Sequence, residues 1–308
     1  MRIMILGAAG FIGTNLTEKI SSANGDVITL VDKDWSALKR LSTLQRDLVN
    51  RKQIKLVMET GFDELLEGQD IIYHLISTTV PTTSNYHIPQ EISDNVELMS
   101  RFLESCVKCG VKRVIFLSSG GTVYGIDHRC PLKEGMETNP INSYGVQKVM
   151  NEKLLYLYQY MHGLDYRIIR LSNPFGPYQK PNGILGAVTT FTYKALKGEE
   201  ILVYGDGSVV RDYIYIDDVC NMLKTIIEYR GEETVFNVGT GIGTSQNSVI
   251  DIVETLGLKV DVHYAAARDV DVQTSILDNH RIRALYHNDL CGIEEGIKKY
   301  YMYLNDGC

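Results

Sequence analysis

Through roughly the first 170 residues, short apolar runs alternate with stretches in which apolar side chains return every three or four positions. Residues 3–6, 27–31, 54–57, 71–76, 114–117 and 167–171 have the length and composition of strands. Between them, Ile12, Leu16 and Ile20 stand four apart, and Met99, Leu103 and Val107 share one helical face. Short, continuously apolar strands are buried on both sides, which predicts a parallel sheet covered by helices on either face. Right-handed crossovers then make this a doubly wound α/β unit.

After Leu171 the rhythm changes. Residues 172–183 (SNPFGPYQKPNG) hold three of the seven prolines and two glycines, too many breaks for a helix or a central strand. The pattern beyond predicts a helix over 184–196, strands over 201–204 and 213–216, and helices over 218–229 and 247–256. Ile293, Ile297, Tyr300 and Leu304 mark a last amphipathic helix. This divides the chain into a Rossmann domain over 1–173 and a smaller mixed α/β domain over 174–308, with some of the later segments returning to the first domain.

The composition narrows the class. A chain of 308 residues, 44% hydrophobic and 22% charged, buries a sizeable core and is not disordered. Its net charge is −7 with no basic block, so nucleic acid and anionic membrane are not its partners. No apolar run approaches the roughly 20 residues of a membrane helix, and the opening MRIMILGAAG has no charged segment leading into a long apolar one. Six irregularly spaced cysteines read as reduced thiols. A cytoplasmic enzyme is the expectation. Cys106 and Cys109 form a C-x-x-C without a second pair at zinc spacing, and the seven histidines include no H-x-x-x-H pair, so no metal is expected. His74 ends a strand and is expected to pack near a cofactor. Tyr156, Tyr158 and Tyr160 read as helix packing and surface.

Two motifs carry chemistry. Gly7-Ala-Ala-Gly10-Phe-Ile-Gly13 follows a strand and opens a helix, where glycines let the backbone approach a pyrophosphate favoured by the helix N-terminus. The second strand ends in Asp32, nineteen residues beyond Gly13, where a carboxylate meets ribose hydroxyls and repels a 2′-phosphate. NAD is therefore favoured over NADP, with Lys33 next door as the one feature pulling the other way. In Tyr144-Gly-Val-Gln-Lys148 the phenol and ammonium share a helix face. Such a pair is common on solvated helices; what raises it is Leu117-Ser-Ser-Gly-Gly-Thr-Val-Tyr-Gly125 upstream, a strand ending in hydroxyls and glycines at the sheet's ligand-binding edge. Gly239-Thr-Gly-Ile-Gly243 lacks a P-loop lysine and reads as a turn.

GAAGFIG, Asp32, SSGGTVYG, YGVQK, SNPFGP and YGDGSVVRDYIYIDDV together resemble the extended short-chain dehydrogenase/reductase family, from Met1 to about Asp278. Within it the likeness is to nucleotide-sugar epimerases of the UDP-glucose 4-epimerase type. The resemblance implies NAD bound by Gly7, Gly10, Phe11, Ile12, Gly13, Asp32, Lys33, Leu75, Ser77, Asn95 and Ser118, together with Tyr144 and Lys148. It makes Tyr144 the base and Lys148 the cation that lowers its pKa. The family's catalytic hydroxyl usually stands where this chain has Gly120, which leaves Ser119 as first choice and Thr122 in reserve. It further implies Asn173 at the nucleotide phosphates, Tyr204 at the uracil, Arg211 and Arg268 at the diphosphate, and Asp271 at a ribose or nearby hydroxyl. Ser275 falls beside the sugar's C2 substituent, where many hexose-only epimerases have tyrosine. A blander reading of Arg211 is a surface salt bridge to Asp212 or Asp217.

Two sister activities compete. Nucleotide-sugar 4,6-dehydratases carry an Asp-Glu pair at the positions of Gly121 and Thr122, and UDP-glucuronate decarboxylases carry an acidic residue before V-Y-G; both are missing here. An NAD(H)-sensing protein without turnover is a reading from another class, weakened because Tyr144 and Lys148 are both kept. A homodimer is expected from two apolar stripes, one through Val96, Met99, Leu103 and Val107, the other through Met150, Leu154, Leu157 and Met161. Leu155 and Tyr158 add bulk on a neighbouring face.

Overall fold

The computed structural model describes residues 1–21, 25–34, 49–181, 186–267 and 272–306. One wholly parallel sheet contains β1 (Arg2–Leu6), β2 (Val27–Asp32), β3 (Val49–Gln53), β4 (Ile71–His74), β5 (Arg113–Ser119) and β6 (Asp165–Leu171). Its spatial order is β3-β2-β1-β4-β5-β6, and a strand from late in the chain, β10 (Val235–Val238), pairs beside β6 as the seventh. The chain runs outward from β1 to β3 and then returns to lay β4 on the other side of β1. A crevice opens at that reversal, outside the carboxyl ends of the strands.

Successive side chains of a strand face opposite sides, and β1 shows the consequence. Ile3 and Ile5 enter one core with Leu16 and Ile20 of α1 (Phe11–Ser21) and Val219 and Leu223 of α7 (Ile216–Glu228). Met4 and Leu6 enter a second core with α2 (Phe62–Leu66), α4 (Leu98–Lys108) and Leu155 of α5 (Ser143–His162). Helix α3 (Ile88–Ile92) runs into α4 through a π-helical turn over Ser93–Glu97.

The run at 54–57 is not a strand. The strand is the polar segment Val49–Gln53, which lies at the sheet edge, pairs only with β2 and is half exposed. An edge strand needs no apolar face, while the residues after it, Ile54 and Leu56, pack on the second core.

Beyond β6 the chain builds a smaller layer. Strands β7 (Asn173–Phe175), β9 (Val210–Tyr215), β11 (Gly243–Ser245) and β13 (Thr274–Ser275) form a small mixed sheet around β9, and β8 (Ile201–Tyr204) pairs with β12 (Val262–Ala265). Helices α6 (Ala187–Lys197), α8 (Gln246–Glu254) and α10 (Ile293–Asn305) cover them, and α9 (His280–Arg283) packs near β10. Short β7 tolerates Pro174 because it pairs only with β9. No helix among the described residues is long and apolar enough to cross a membrane.

Of the two stripes expected at a subunit contact, the first serves the chain's own core: Val96, Met99 and Leu103 are buried, and Val107 packs on the same cluster. Leu155 is wholly buried, Leu154 is partly buried, and Tyr158 donates to the Ser100 carbonyl at 3.2 Å, so all three pack inward as well. Met150, Leu157 and Met161 remain exposed along α5, with Val146 and Tyr160 on the same face.

His74 sits inside the second core, close to Lys148. Its ring lies 5.2 Å from Phe102 and 5.8 Å from Phe116, and its Nδ1 is buried without a partner. Burial, aided by the nearby Lys148 charge, pushes its pKa down to about 3. The folded ring therefore stays neutral while the unfolded chain takes a proton below its ordinary pKa of about 6.5, so stability falls as pH drops from there toward 3. Between pH 7 and pH 5 this should remove about 2 kcal/mol from the wild type, a loss that His74→Gln does not share. Urea unfolding at both pH values tests this, and an equal loss in both proteins would place the acid sensitivity elsewhere.

Candidate active site at the carboxyl edge of the sheet

The end of β5, the start of α5, the turn into α1 and the small sheet enclose a cleft of about 370 Å³. Its floor begins at the turn after β1. Gly7 takes φ +87°, and a Cβ there would come within 3.2 Å of Ile76. A Cβ on Gly13 would stand 2.1 Å from the Gly7 carbonyl oxygen, so α1 lies on the turn at a distance only glycine permits. Phe11 and Ile12, which line the cleft, open α1. The N–H groups of a first helical turn lack intrahelical partners and favour an anion.

Asp32 ends β2, and its carboxylate accepts from the Ala9 N–H at 2.9 Å and from the Asp34 N–H at 3.1 Å. Fixed this way, it keeps lone pairs for a ribose diol and repels a 2′-phosphate. Lys33 is exposed, and its carbonyl accepts from Gln53. Glycine cradle, helix end and carboxylate together fit NAD.

Other candidates on that side are engaged within the protein. The Leu75 N–H donates to Leu6 at 3.0 Å, and the Ser77 hydroxyl donates to the Thr79 carbonyl at 2.9 Å. Asn95 accepts from the Thr78 N–H and donates to the Thr78 hydroxyl and the Glu91 carbonyl, which fixes the loop after β4. The Ser118 hydroxyl donates to Glu152 Oε1 at 2.5 Å.

Helix α5 is fixed from its first residue. Asn142 caps it, accepting from the Gly145 N–H at 2.8 Å, and Ser143 donates its N–H to Asn85 at 2.7 Å. Glu91 accepts from the Ser143 hydroxyl at 2.5 Å and from the Gln147 amide at 3.0 Å. Burial works against the Glu91 charge, but donors from Ser143, His87, Asn85 and Gln147 outweigh it and hold the carboxyl below its ordinary value. Tyr144 is thus locked from both sides along the helix.

Ser119 and Tyr144 both line the cleft, and the Ser119 hydroxyl lies close enough to the phenol to favour its ionised form. Lys148 donates to the Leu117 carbonyl at 2.8 Å, with its Nζ 5.4 Å from the Tyr144 ring centre. Burial pushes the phenol up to about 12 against the Ser119 hydroxyl, and pushes the Lys148 ammonium down to about 8 against the Glu152 charge. The expected lowering of the Tyr144 pKa is therefore not a property of the protein alone. Burial outweighs the neighbouring Ser119 hydroxyl at the phenol.

Thr122 also lines the cleft, with its Oγ1 buried and without a partner among the described residues. Gly120 offers no hydroxyl for a steric reason. A Cβ there would meet Leu277 Cδ1 at 2.5 Å and the Arg170 carbonyl oxygen at 3.1 Å, and Leu277 is itself packed among Val123, Tyr124 and Leu132. Asn173 and Arg211 line the opposite wall. Arg211 does not pair with Asp212, whose carboxylate holds the 239–241 turn, nor with Asp217, which pairs with Lys19 at 3.3 Å. Ser275 is buried in β13, in register with Arg211. Tyr204 ends β8, outside the described lining of the cleft. Arg268 and Asp271 lie outside the described residues.

Sequence reasoning passed over several supports. Glu91, Gln147 and Asn142 hold the start of α5; the four-residue spacing of Ser143 and Gln147 was the available signal. Glu152 accepts two hydrogen bonds from Arg170, at 2.7 and 3.1 Å. On the far wall, Tyr178 takes φ 67° and donates its hydroxyl to Glu18 of α1 at 2.8 Å, and Asn15 of α1 donates to the Pro177 carbonyl at 2.9 Å. No local motif announces such contacts.

A sheet in this order, a glycine turn at its reversal point and a Tyr–Lys helix over the carboxyl edge define a dinucleotide-dependent enzyme. The family model for the NAD dependent epimerase/dehydratase family matches residues 3–239. The chain belongs to that family, and its cofactor is NAD. It is 32% identical to the UDP-glucose 4-epimerase of Mycolicibacterium smegmatis over 307 residues, 97% of each chain. The crystal structure of UDP-glucose 4-epimerase with UDP-glucose from Thermotoga maritima matches it with a TM-score of 0.91 at 30% identity, over 99% of each chain. UDP-N-acetylglucosamine 4-epimerase from Methanobrevibacter ruminantium, in complex with UDP-N-acetylmuramic acid, matches with a TM-score of 0.91 at 25% identity, over 100% of this chain and 99% of that one.

Proposed function

We propose that this protein is a UDP-sugar 4-epimerase, inverting C4 of UDP-hexoses and UDP-N-acetylhexosamines through a 4-keto sugar. The observation that carries the reading is the lining of the cleft: among the described residues it holds Tyr144, Ser119 and Arg211 but no carboxylate or imidazole. Expelling water across C5 and C6 needs a further acid and base, and Gly121 and Thr122 stand where dehydratases carry them. Bound NAD supplies a reversible hydride acceptor and, when oxidised, a positive ring charge. Tyr144 takes the proton of the C4 hydroxyl as the C4 hydride leaves, while Ser119 hydrogen-bonds that oxygen. Lys148 holds the nicotinamide ribose and adds positive charge near the phenol. Asn173 and Arg211 bind the diphosphate, Arg211 with its planar fork. The keto sugar turns over within the cleft, and Tyr144 returns the proton once hydride has come back to the other face.

Purified protein incubated with UDP-glucose and UDP-N-acetylglucosamine, followed by NMR and mass spectrometry, should equilibrate each with its C4 epimer at unchanged mass. Loss of water or carbon dioxide, or no inversion on either substrate, would sink the reading. Tyr144→Phe should lower kcat by roughly a thousandfold.

Ser275 supports the N-acetylated substrates. A small hydroxyl beside C2 leaves room for an acetamido group and can hydrogen-bond it, whereas a tyrosine ring would crowd it. Ser275→Tyr should lower kcat/KM for the N-acetyl pair at least roughly tenfold relative to the hexose pair. An unchanged ratio removes Ser275 from the specificity argument.

The same reading includes a homodimer built on α5. Its exposed face, Val146, Met150, Leu157, Tyr160 and Met161, is an apolar stripe that the described residues leave uncovered. Light scattering at micromolar concentration should return twice the chain mass for the wild type and the single mass for Leu157→Glu. A single mass for the wild type counts against the dimer.

A further inference from the structure

Helix α5 buries polar side chains before it buries apolar ones. Ahead of Leu155 its buried side chains are Ser143, Gln147, Lys148, Asn151 and Glu152. They fall into two rows at helical spacing, one through 143, 147 and 151, the other running from Tyr144 through 148 and 152. The Tyr144 row grips the large sheet: Lys148 donates to the Leu117 carbonyl, and Glu152 accepts from Ser118 of β5 and Arg170 of β6. The other row docks on α3 and the π-helical turn after it. Ser143 donates its hydroxyl to Glu91 Oε2 at 2.5 Å, and the Gln147 amide donates to that same oxygen at 3.0 Å and to the Ser143 hydroxyl at 2.8 Å. Asn151 donates to the Asn95 carbonyl at 3.3 Å, and Gln147 Oε1 accepts from the Thr79 hydroxyl, in the loop after β4, at 3.1 Å. Glu91 is buried at the centre of this seam, and its other oxygen accepts from the His87 N–H at 3.4 Å.

Apolar side chains of similar volume would hold two helices together at least as firmly, because a buried carboxylate carries a desolvation cost that its hydrogen bonds only offset. What hydrogen bonds add is register. Neighbouring rows lie about 100° apart around a helix, so α5 is held on two sides; gripped along the sheet row alone, it is free to roll. The phenol oxygen stands several ångströms out from the helix axis. A roll of about ten degrees displaces it by roughly 1 Å, and displacements of that size cost up to about a hundredfold in rate. We propose that Glu91 is a positioning residue of this site: through Ser143 and Gln147 it sets the rotation of α5 about its axis, and with it the place of the Tyr144 phenol in the cleft. Glu91 is not among the residues that line the cleft, so it acts through the helix. The inference rests on the epimerase reading, in which Tyr144 transfers the proton, and deepens it.

The test measures kcat and KM for UDP-glucose in Glu91→Met and Glu91→Gln, each alone and combined with Tyr144→Phe. Glu91→Met, which removes both oxygens, should lower kcat roughly 10- to 100-fold and leave KM within about threefold. Glu91→Gln keeps an oxygen for Ser143 and Gln147 and should stay within about threefold of wild type. In the Tyr144→Phe background, Glu91→Met should cost less than about twofold more, because a residue acting through the phenol then has nothing left to act on. A loss carried by KM, equal losses in the two backgrounds, or no loss in either overturns the role. Should Glu91→Met fail to fold, Gln147→Met takes its place with the same expectations. Wild-type inactivity would overturn the epimerase reading instead. The positioning role is then decided by amide exchange in the NAD-loaded protein, where the start of α5 should exchange at least roughly tenfold faster in Glu91→Met than in wild type while β1 and β4 stay unchanged. Unchanged exchange at α5, or an equal rise in β1 and β4, overturns it.

Discussion

One buried carboxylate joins the two layers of this protein. Asp212 of β9, in the small sheet, is wholly buried and accepts from the Thr240 N–H at 2.8 Å, the Thr240 hydroxyl at 2.7 Å, the Gly241 N–H at 3.1 Å and the Leu277 N–H at 3.3 Å. Thr240 and Gly241 belong to the turn that leaves β10 of the large sheet, so the contact spans both. Burial raises the Asp212 pKa, and these donors oppose the rise. Gly239 completes the arrangement, because a Cβ there would stand 2.4 Å from the carboxylate. The glycine-rich turn that looks in sequence like an anion loop is one, and the anion it holds is the protein's own. Removing that carboxylate would take the partner from four donors, of which the buried Leu277 N–H has no water to turn to, the costly kind of loss. Arg211, the residue before it in β9, lines the cleft, so the same anchor sets one wall of the site.

A second buried network underlies the other wall. Arg170 of β6 pairs with Glu152 of α5, stacks on the Tyr124 ring at 4.9 Å and donates to the Glu134 carbonyl at 3.1 Å. Tyr124 donates to Asn237 of β10 at 2.7 Å. Glu152 is also the charge that opposes the weakening of Lys148. The group that holds α5 to the sheet thus tunes the cation beside the phenol, and structure and electrostatics share one side chain.

Much of the large sheet was legible because burial on both faces leaves a mark in composition. β1, β2, β4, β5 and β6 read as apolar runs, and the glycines before α1 and the Tyr–Lys pair of α5 sit where their spacing placed them. What was not legible depended on distance along the chain. β3 is polar because it is an edge strand, β10 is a four-residue run far from its neighbour β6, and β13 is two residues long. The partners of Tyr144 illustrate the same limit. Lys148 is four residues away and visible, whereas Glu91 lies 52 residues from Ser143 and meets the helix only through the tertiary fold. The direction of the Tyr144 shift was also beyond the sequence, since desolvation is a property of packing and outweighed the charge that spacing suggested.

The contact between Gly120 and Leu277 has a bearing on how this site can change. The two positions are 157 residues apart, yet they occupy one volume: a side chain at either limits the other. A hydroxyl introduced at 120 alone would overfill the pocket among Val123, Tyr124 and Leu132, while a smaller residue at 277 alone would leave a void there. A side chain at 120 needs Leu277 to shift, and the two positions are coupled. Which side chains can stand at 120 and 277 is therefore an epistatic choice between two positions distant in the chain.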